Sequence, residues 1–210
     1  TTGSYSTASG YRALASNTTG CCNTAVGHNT LLYNTTGCWN TVVGKSAMQT
    51  NTTGIRNVAF GNAALFANTT ASGNTAYGAW AMHKTTTGYS NAAVGSFSLY
   101  ANTTGRKNTA LGDHTLRVST TASENTAVGN CALYSTTTGC CNTAVGWCAL
   151  KSHTTGNQNV AVGSCALGVS TTTSRNVAIG HTALYANTTG TKGTAVGSYA
   201  LASNTTGTYN

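Results

Sequence analysis

The stretch Asn142-Thr143-Ala144-Val145-Gly146-Trp147-Cys148-Ala149-Leu150, completed by Thr154-Thr155-Gly156, is the unit from which the whole chain is built. The glycine equivalent to Gly146 recurs every seventeen residues from Gly10 to Gly197, with no insertion or deletion. A short period kept this strictly is typical of a solenoid in which each repeat forms one turn. The sequence therefore predicts an all-β fold, a parallel β-solenoid with one 17-residue repeat per turn and about twelve turns. Residues 1–210 form a single continuous repeat array.

Because the period is rigid, each residue is expected to lie above its counterpart in the turn below and to form a column with it. Pairs of threonines recur in thirteen places, from Thr1-Thr2 to Thr205-Thr206. An apolar column, here called the Leu column, never admits a polar residue and is therefore predicted to lie in the core. Its members are Leu14, Leu31, Met48, Leu65, Met82, Leu99, Leu116, Leu133, Leu150, Leu167, Leu184 and Leu201.

The segment from Asn23 to Gly27 is predicted to contain a strand. Strand side chains alternate between two faces, so Thr24 and Val26 share one face and Ala25 lies on the other. We expect the Val and Leu side chains to be buried, which leaves the nearly pure Ala face as a surface on which chains could pack together. A second short strand is expected to carry the Leu column. The segment Asn34-Thr35-Thr36-Gly37 is expected to form a corner, with stacked asparagines bonded along the axis.

The unit Asn-Thr-Ala-Val-Gly-x-x-Ala-Leu resembles the head repeats of trimeric autotransporter adhesins. With Asn-Thr-Thr-Gly added, it is similar to the arrays of phage-type tail-fibre proteins and bacterial surface proteins. The resemblance covers essentially the whole chain. It implies a left-handed parallel β-roll, three rolls packed around an axis, and a place in a surface appendage. The chain departs from the adhesin pattern in its longer repeat and its eight cysteines.

Charged residues make up 6% of the chain, with ten Lys and Arg against two acids, Asp113 and Glu124. These two acids occur once each and are eleven residues apart, so catalysis by paired carboxylates has no support. We therefore predict a protein that is not an enzyme and has no cofactor. The histidines fall in several columns and are expected on the solvated surface: His28, His83, His114, His153 and His181.

Two columns of larger side chains suggest partners. Arg56, Lys107, Arg175 and Lys192 share one column, but they lie mostly on non-adjacent turns, so we expect no nucleic-acid partner. The apolar runs are too short for membrane insertion. In the other column, Tyr100, Tyr134 and Tyr185 align with Phe66. These rings are expected either to contact a glycan or host-surface receptor or, more simply, to pack against one another.

Cysteines are the most informative irregularity of the repeat. Cys131, Cys148 and Cys165 share one column on three successive turns, and Cys21 and Cys38 share another on adjacent turns. Turns of a parallel stack are about 4.8 Å apart, within the Cα–Cα range that a disulfide needs. Two hypotheses follow: column disulfides formed in an oxidising, extracellular setting, or small buried cysteines that replace Ser or Ala. Neither vicinal cysteine pair has the ligand spacing of a zinc site.

Asn-Thr-Thr segments in the corner match the acceptor sequence for N-glycosylation, and a glycan is expected to stand clear of the coil there. The same residues also suit the corner and its asparagine ladder, so both interpretations stay open. The seven asparagines are Asn17, Asn34, Asn51, Asn68, Asn102, Asn187 and Asn204.

The sequence leaves two classes of function. The favoured one is a structural extracellular fibre or stalk on a cell or virion surface, such as an adhesin or a tail-fibre shaft. Such a chain is expected to self-associate as a homotrimer or as an end-to-end filament, because it begins and ends in mid-repeat. The alternative is ice binding by a Thr ladder. Adjacent threonines alternate to opposite faces, however, which leaves one outward Thr column where ice-binding faces usually have two.

Overall fold

The computed structural model describes residues 2–210, in which twelve strands form one parallel sheet in chain order. Each strand pairs with the next at an offset of seventeen residues, as in Thr126↔Thr143 and Thr143↔Val160. The predicted β-solenoid is confirmed, with about eleven full turns because twelve strands make eleven pairings. No helix occurs in this part of the chain. Thr1, half of the first Thr pair, lies outside the described residues.

The strands are β1 (Thr7–Ser9), β2 (Thr24–Val26), β3 (Thr41–Val43), β4 (Val58–Phe60), β5 (Thr75–Tyr77), β6 (Ala92–Val94), β7 (Thr109–Leu111), β8 (Thr126–Val128), β9 (Thr143–Val145), β10 (Val160–Val162), β11 (Val177–Ile179) and β12 (Thr194–Val196).

Each turn contains one strand, so the expectation of a second strand carrying the Leu column is wrong. That segment turns sharply because two of its residues adopt left-handed backbone conformations, as in Cys148 (φ 55°) and Leu150 (φ 51°). Extended strands need negative φ. A third left-handed residue, such as Cys141 (φ 59°), lies two residues before each strand. These residues bend the chain back on itself and close the coil.

The glycine after each strand is required for two reasons. Gly146 has φ 133°, a conformation that residues with a side chain rarely adopt. A Cβ at Gly146 would also lie 2.6 Å from the carbonyl oxygen of Gly163 in the next turn. The close approach of successive turns at this bend therefore excludes every other residue type.

Backbone hydrogen bonds join successive turns outside the strands as well as within them. The Leu150 N–H donates to the Ala166 carbonyl oxygen of the next turn at 3.0 Å. The Cys148 N–H donates to the Asn130 carbonyl oxygen of the preceding turn, also at 3.0 Å. Because the irregular segments satisfy their backbone groups in this way, three residues of strand per turn are enough.

The interior holds the middle residue of each strand, the Leu column and the small residue before each Leu. The middle residues from Ala25 to Ala178 are 0% exposed, as is the Leu column from Leu31 to Leu184. Burial of the Leu column is confirmed. Burial of the Val side chains is wrong, because Val26, the last residue of β2, is 37% exposed. The predicted external Ala face is also wrong, since the narrow coil accommodates one large apolar side chain and two small ones per turn.

A ladder of buried asparagines runs along the axis just before the strands. Asn142 is 1% exposed, and its Nδ2 donates to the Oδ1 of Asn125 at 3.1 Å and to the carbonyl oxygen of Gly156 at 3.0 Å. The Asn142 backbone N–H donates to the same Asn125 Oδ1 at 3.0 Å. This strand Asn ladder consists of Asn23, Asn40, Asn57, Asn74, Asn91, Asn108, Asn125, Asn142, Asn159 and Asn176.

A second asparagine ladder occupies the corner. The Nδ2 of Asn34 donates to the Oδ1 of Asn17 at 2.8 Å, and the same contact links Asn51 to Asn34 and Asn68 to Asn51 at 2.7 Å. The predicted axial bonding of corner asparagines is therefore confirmed for this run. Beyond Asn68 the column holds Thr85, and the ladder is interrupted.

Candidate functional site

The first and last residues of the strands form a continuous outer surface, which we call the strand face. No strand carries a charged residue. Some apolar members are exposed, for example Tyr77 (58%), Leu111 (39%) and Ile179 (40%), and others such as Phe60 and Val145 are half-buried. Parallel sheets usually have both faces covered, and a contiguous exposed apolar patch marks an interaction site. The strand face is therefore a candidate docking surface.

A second surface consists of side chains from two columns that lie side by side. Phe66, His83 and Tyr100 stack along the axis with ring centroids 5.0 and 5.4 Å apart. Trp80 and Phe97 belong to the neighbouring column, and their rings are parallel within 4° at 6.3 Å. Trp80 also contacts His83 at 4.6 Å, which joins the two columns. The whole aromatic surface comprises Phe66, Trp80, His83, Phe97, Tyr100, His114, Arg117 and Tyr134.

Arg117 contacts three rings at the C-terminal end of the aromatic surface. Its guanidinium carbon lies 5.4 Å from the Phe97 ring centroid, 6.0 Å from Tyr100 and 5.8 Å from Tyr134. Its Nη1 donates to the Tyr134 hydroxyl at 2.6 Å, so the cation is held against the rings. The prediction that the Phe66 column packs internally is confirmed for these members. Tyr185 lies beyond Gly168 and outside the surface.

A notch of about 440 Å³ opens at the N-terminal end of the aromatic surface. His83 forms part of its wall, and its Nδ1 donates to the Ala63 carbonyl oxygen at 3.2 Å. Burial, together with the nearby charge of Lys84, lowers the pKa of His83, so the imidazole is neutral at pH 7. The notch is lined by Lys45, Ser46, Asn62, Ala63, Phe66, Trp80 and His83.

All eight cysteines are free thiols in the structure. The Sγ atoms of Cys21 and Cys38 are 3.0 Å apart, against about 2.05 Å in a disulfide. Burial raises the pKa of Cys38, and so does its hydrogen bond with Cys21. Cys148 is buried, which also raises its pKa and disfavours the reactive thiolate. Oxidation of the Cys21–Cys38 column and of the Cys131, Cys148 and Cys165 column stays a prediction.

The corner leaves no room for a glycan at most of the predicted acceptors. In these asparagines the Nδ2 atom, which a glycan would modify, donates to the carbonyl oxygen three residues further on. Asn17 and Asn204 are half-buried, and glycosylation of the folded coil stays a prediction for these two. The closed sites, all 0% exposed, are Asn34, Asn51, Asn68, Asn102 and Asn187.

His153 is an exception to the expected surface position of the histidines. It occupies the corner column and is 0% exposed, and its Nε2 donates to the Gly156 carbonyl oxygen at 2.8 Å. Burial lowers its pKa, and its Nδ1 has no partner. The imidazole thus replaces a corner asparagine and is neutral at pH 7 in the folded protein.

The column of Arg56, Lys107, Arg175 and Lys192 does not present a row of unpaired cations. Each of its four members contacts a side chain of the neighbouring turn in the same column, which reduces its reach toward an anionic polymer. Arg56 lies 5.3 Å from the Trp39 ring centroid, Lys107 pairs with Glu124 at 3.8 Å, Arg175 Nε donates to Gln158 Oε1 at 3.2 Å, and Lys192 Nζ donates to the Tyr209 hydroxyl at 2.5 Å.

The fold and its surfaces define the class of this chain as a β-solenoid repeat protein. No protein-family model, curated protein or solved structure matches it. The resemblance to adhesin heads and tail-fibre arrays therefore rests on the repeat and stays a prediction. Residues 2–210 contain no helix long and apolar enough to cross a membrane. Within the same residues, no group of three or more His, Cys, Asp or Glu side chains is arranged to bind a metal ion.

Proposed function

We infer that the chain is a rigid shaft segment of an extracellular or cell-surface fibre. The observation that carries this proposal is the unbroken register, since every strand pairs with the next at the same offset of seventeen residues. At about 4.8 Å per turn, eleven turns make a rod about 53 Å long. Backbone bonds and the strand Asn ladder connect each turn to its neighbours around the coil, which favours stiffness. The extracellular location rests on the resemblance and on the cysteine columns.

The strand face supports side-by-side association of such shafts. Three residues of strand span about 10 Å, so a strip about 53 Å long covers roughly 500 Å². Two copies in contact would bury about 1,000 Å² in total, near the lower limit for a specific interface. Because the face itself has no charge, identical copies meet there without placing like charges in direct contact.

Electron microscopy and sedimentation velocity test this proposal. We expect short rods of two or three chains. Replacing Val94 and Val145 with lysine should dissociate them into single chains with an unchanged circular dichroism spectrum. The control replaces Ser96 and Ser164 with lysine, in a column that Lys45 already occupies off the strand face. Native protein that stays a single chain at the highest concentration reached would contradict lateral association, and compact particles would contradict the shaft.

Ice binding is a second candidate, favoured by one observation that the sequence did not reveal. The first strand residue faces outward and is threonine in eight of the twelve strands. An outward Thr column therefore exists on the flat sheet, in addition to the exposed second threonine of each Thr pair. Measurements of ice recrystallisation with the same strand-face and control variants separate the two functions. A single-chain protein whose inhibition of recrystallisation is lost only in the strand-face variant would replace the shaft proposal.

A further inference from the structure

Beside the notch, the Trp80 indole has no aromatic neighbour from its own column on the side of the preceding turns, and His83 contacts it with a ring tilted by 54°. Phe97 covers the face toward the following turn, with the two rings parallel within 4°. In the preceding turns the same column holds only Ala63 and Ser46, which are too small to cover the other face. Trp80 remains 37% exposed, and both small residues line the notch with it. The structure thus presents a flat apolar surface inside a concavity of about 440 Å³, within the size range of small-ligand sites.

Three polar residues besides His83 line the notch. Asn62 supplies an amide, Ser46 a hydroxyl and Lys45 an ammonium group, and Lys45 and Asn62 are exposed. No acidic residue lines the notch. Asp113 lies three turns beyond Asn62 in the same column, about 14 Å away along the axis. The notch therefore offers hydrogen-bond donors and one uncompensated positive charge.

We propose that this notch binds a pyranose ring bearing a carboxylate, as in a uronic acid unit of an acidic polysaccharide. The C–H face of the sugar packs on the Trp80 face toward the preceding turns, because an aromatic ring supplies a large apolar contact. The carboxylate pairs with Lys45, and the ring hydroxyls bond to Asn62 and to the unprotonated Nε2 of neutral His83. The proposal goes beyond the shaft function and does not depend on it.

Tryptophan fluorescence tests the proposal with a defined probe. A parent protein with Trp39→Phe and Trp147→Phe retains Trp80 as its one tryptophan. Titration with a tetrasaccharide of α-1,4-linked galacturonic acid should give a saturable change in its emission. The neutral tetrasaccharide maltotetraose, with the same type of linkage, should bind at least fivefold more weakly. Acetate should give no change at the same carboxylate concentration.

Two variants of this parent identify the site. Ala63→Phe should abolish binding, because it extends the ring stack into the notch. Trp80 and Phe97 occupy the same column with the same left-handed backbone (φ 61° and 54°, against 52° at Ala63). Because Ala63 is 4% exposed, an unchanged circular dichroism spectrum of Ala63→Phe must accompany the loss of binding. Thr182→Phe, in the same column but distant from the notch, is the matched control and should bind as the parent does. Lys45→Gln should weaken the acidic tetrasaccharide at least fivefold and leave maltotetraose unaffected.

Several results would overturn the proposal. These are no saturable signal with the acidic tetrasaccharide, equal affinity for maltotetraose, an equal response to acetate, or unchanged binding in Ala63→Phe. None of them bears on the rods expected by microscopy, so failure of the saccharide site and failure of the shaft function are distinguishable.

Discussion

At the scale of the residue, His153 makes stability depend on pH. Burial lowers its pKa below the ordinary 6.5, so the folded chain resists protonation while the unfolded chain accepts the proton. The free energy of unfolding should therefore fall as the pH drops from about 6.5 toward the folded pKa, by up to about 1.4 kcal/mol per pH unit. Above pH 6.5 this contribution is fully present. Urea unfolding at a series of pH values measures it.

The control for this prediction is His153→Asn, which restores the residue most common in the corner column. The variant should lose the His153 part of the pH dependence. The part that comes from half-buried His83, whose pKa is also lowered by burial, should remain. An unchanged slope between pH 6.5 and 5 in His153→Asn would show that His153 does not titrate as its burial requires.

The Leu column and the outer columns should differ strongly in their tolerance of charge. Leu150 is 0% exposed, and Leu150→Asp places a carboxylate in the core at a cost of several kcal/mol. Trp147 is 57% exposed, and Asp113 already occupies its column, so Trp147→Asp should change stability by less than about 1 kcal/mol. Thermal melts of the two variants compare them. Equal losses would mean that the assignment of inside and outside is wrong.

At the scale of the element, the corner Asn ladder can be extended. It stops at Thr85, which leaves the Oδ1 of Asn68 without a partner, and the Nδ2 of Asn102 lies 3.5 Å from the Thr85 hydroxyl. In Thr85→Asn the new amide should bond to both neighbours on the same backbone, raising stability by about 1–2 kcal/mol. Thr87→Asn, at an exposed position of the same turn, is the control. A urea midpoint that does not increase in Thr85→Asn relative to this control would refute the extension.

The sequence predicts part of this fold, and the missing part has a physical cause. The seventeen-residue period and the Leu column are sufficient for the solenoid and its core. Alternation around Ala144 defines two faces of the strand but does not decide which is inside. That choice depends on how tightly the coil closes, which in turn depends on left-handed residues such as Cys148 and Leu150. These residue types do not favour that conformation, so no local signal reveals it.

The sequence predicts the stacking of rings within one column but not the contacts between columns, because those contacts depend on how the chain bends. The shared column of Phe66 and Tyr100 is visible in the sequence, and so is their stacking. The contact between Trp80 and His83 requires the turn between them to be known, because residues three apart meet only if the chain bends. The Trp80 notch depends on this bend and on the small size of Ala63, so only the structure reveals it.

At the scale of the whole molecule, each turn interacts only with its neighbours, so the coil should tolerate loss of a complete turn. Deleting Asn125–Cys141 removes seventeen residues and joins Glu124 to Asn142. Every column then continues, with Asn142 taking the place of Asn125 above Asn108. Such a quasi-one-dimensional array loses the energy of one turn and one interface. We expect one cooperative unfolding transition with a slightly lower midpoint.

Deleting one residue fewer, Asn125–Cys140, should be far more damaging although more of the chain is kept. The retained Cys141 makes one turn of eighteen residues, a length that occurs nowhere in the chain. The extra residue lies directly before Asn142, at the position of the left-handed residue that precedes the strand Asn ladder. The hydrogen bond between Asn142 and Asn108 and the neighbouring backbone hydrogen bonds therefore cannot all form. Because coupling between turns is local, the break separates the coil into two blocks that unfold independently. Hydrogen exchange with mass spectrometry should show lost protection confined to the turns at the junction, and urea unfolding should become broader or biphasic. If both deletions unfold alike, register between adjacent turns does not hold the rod together.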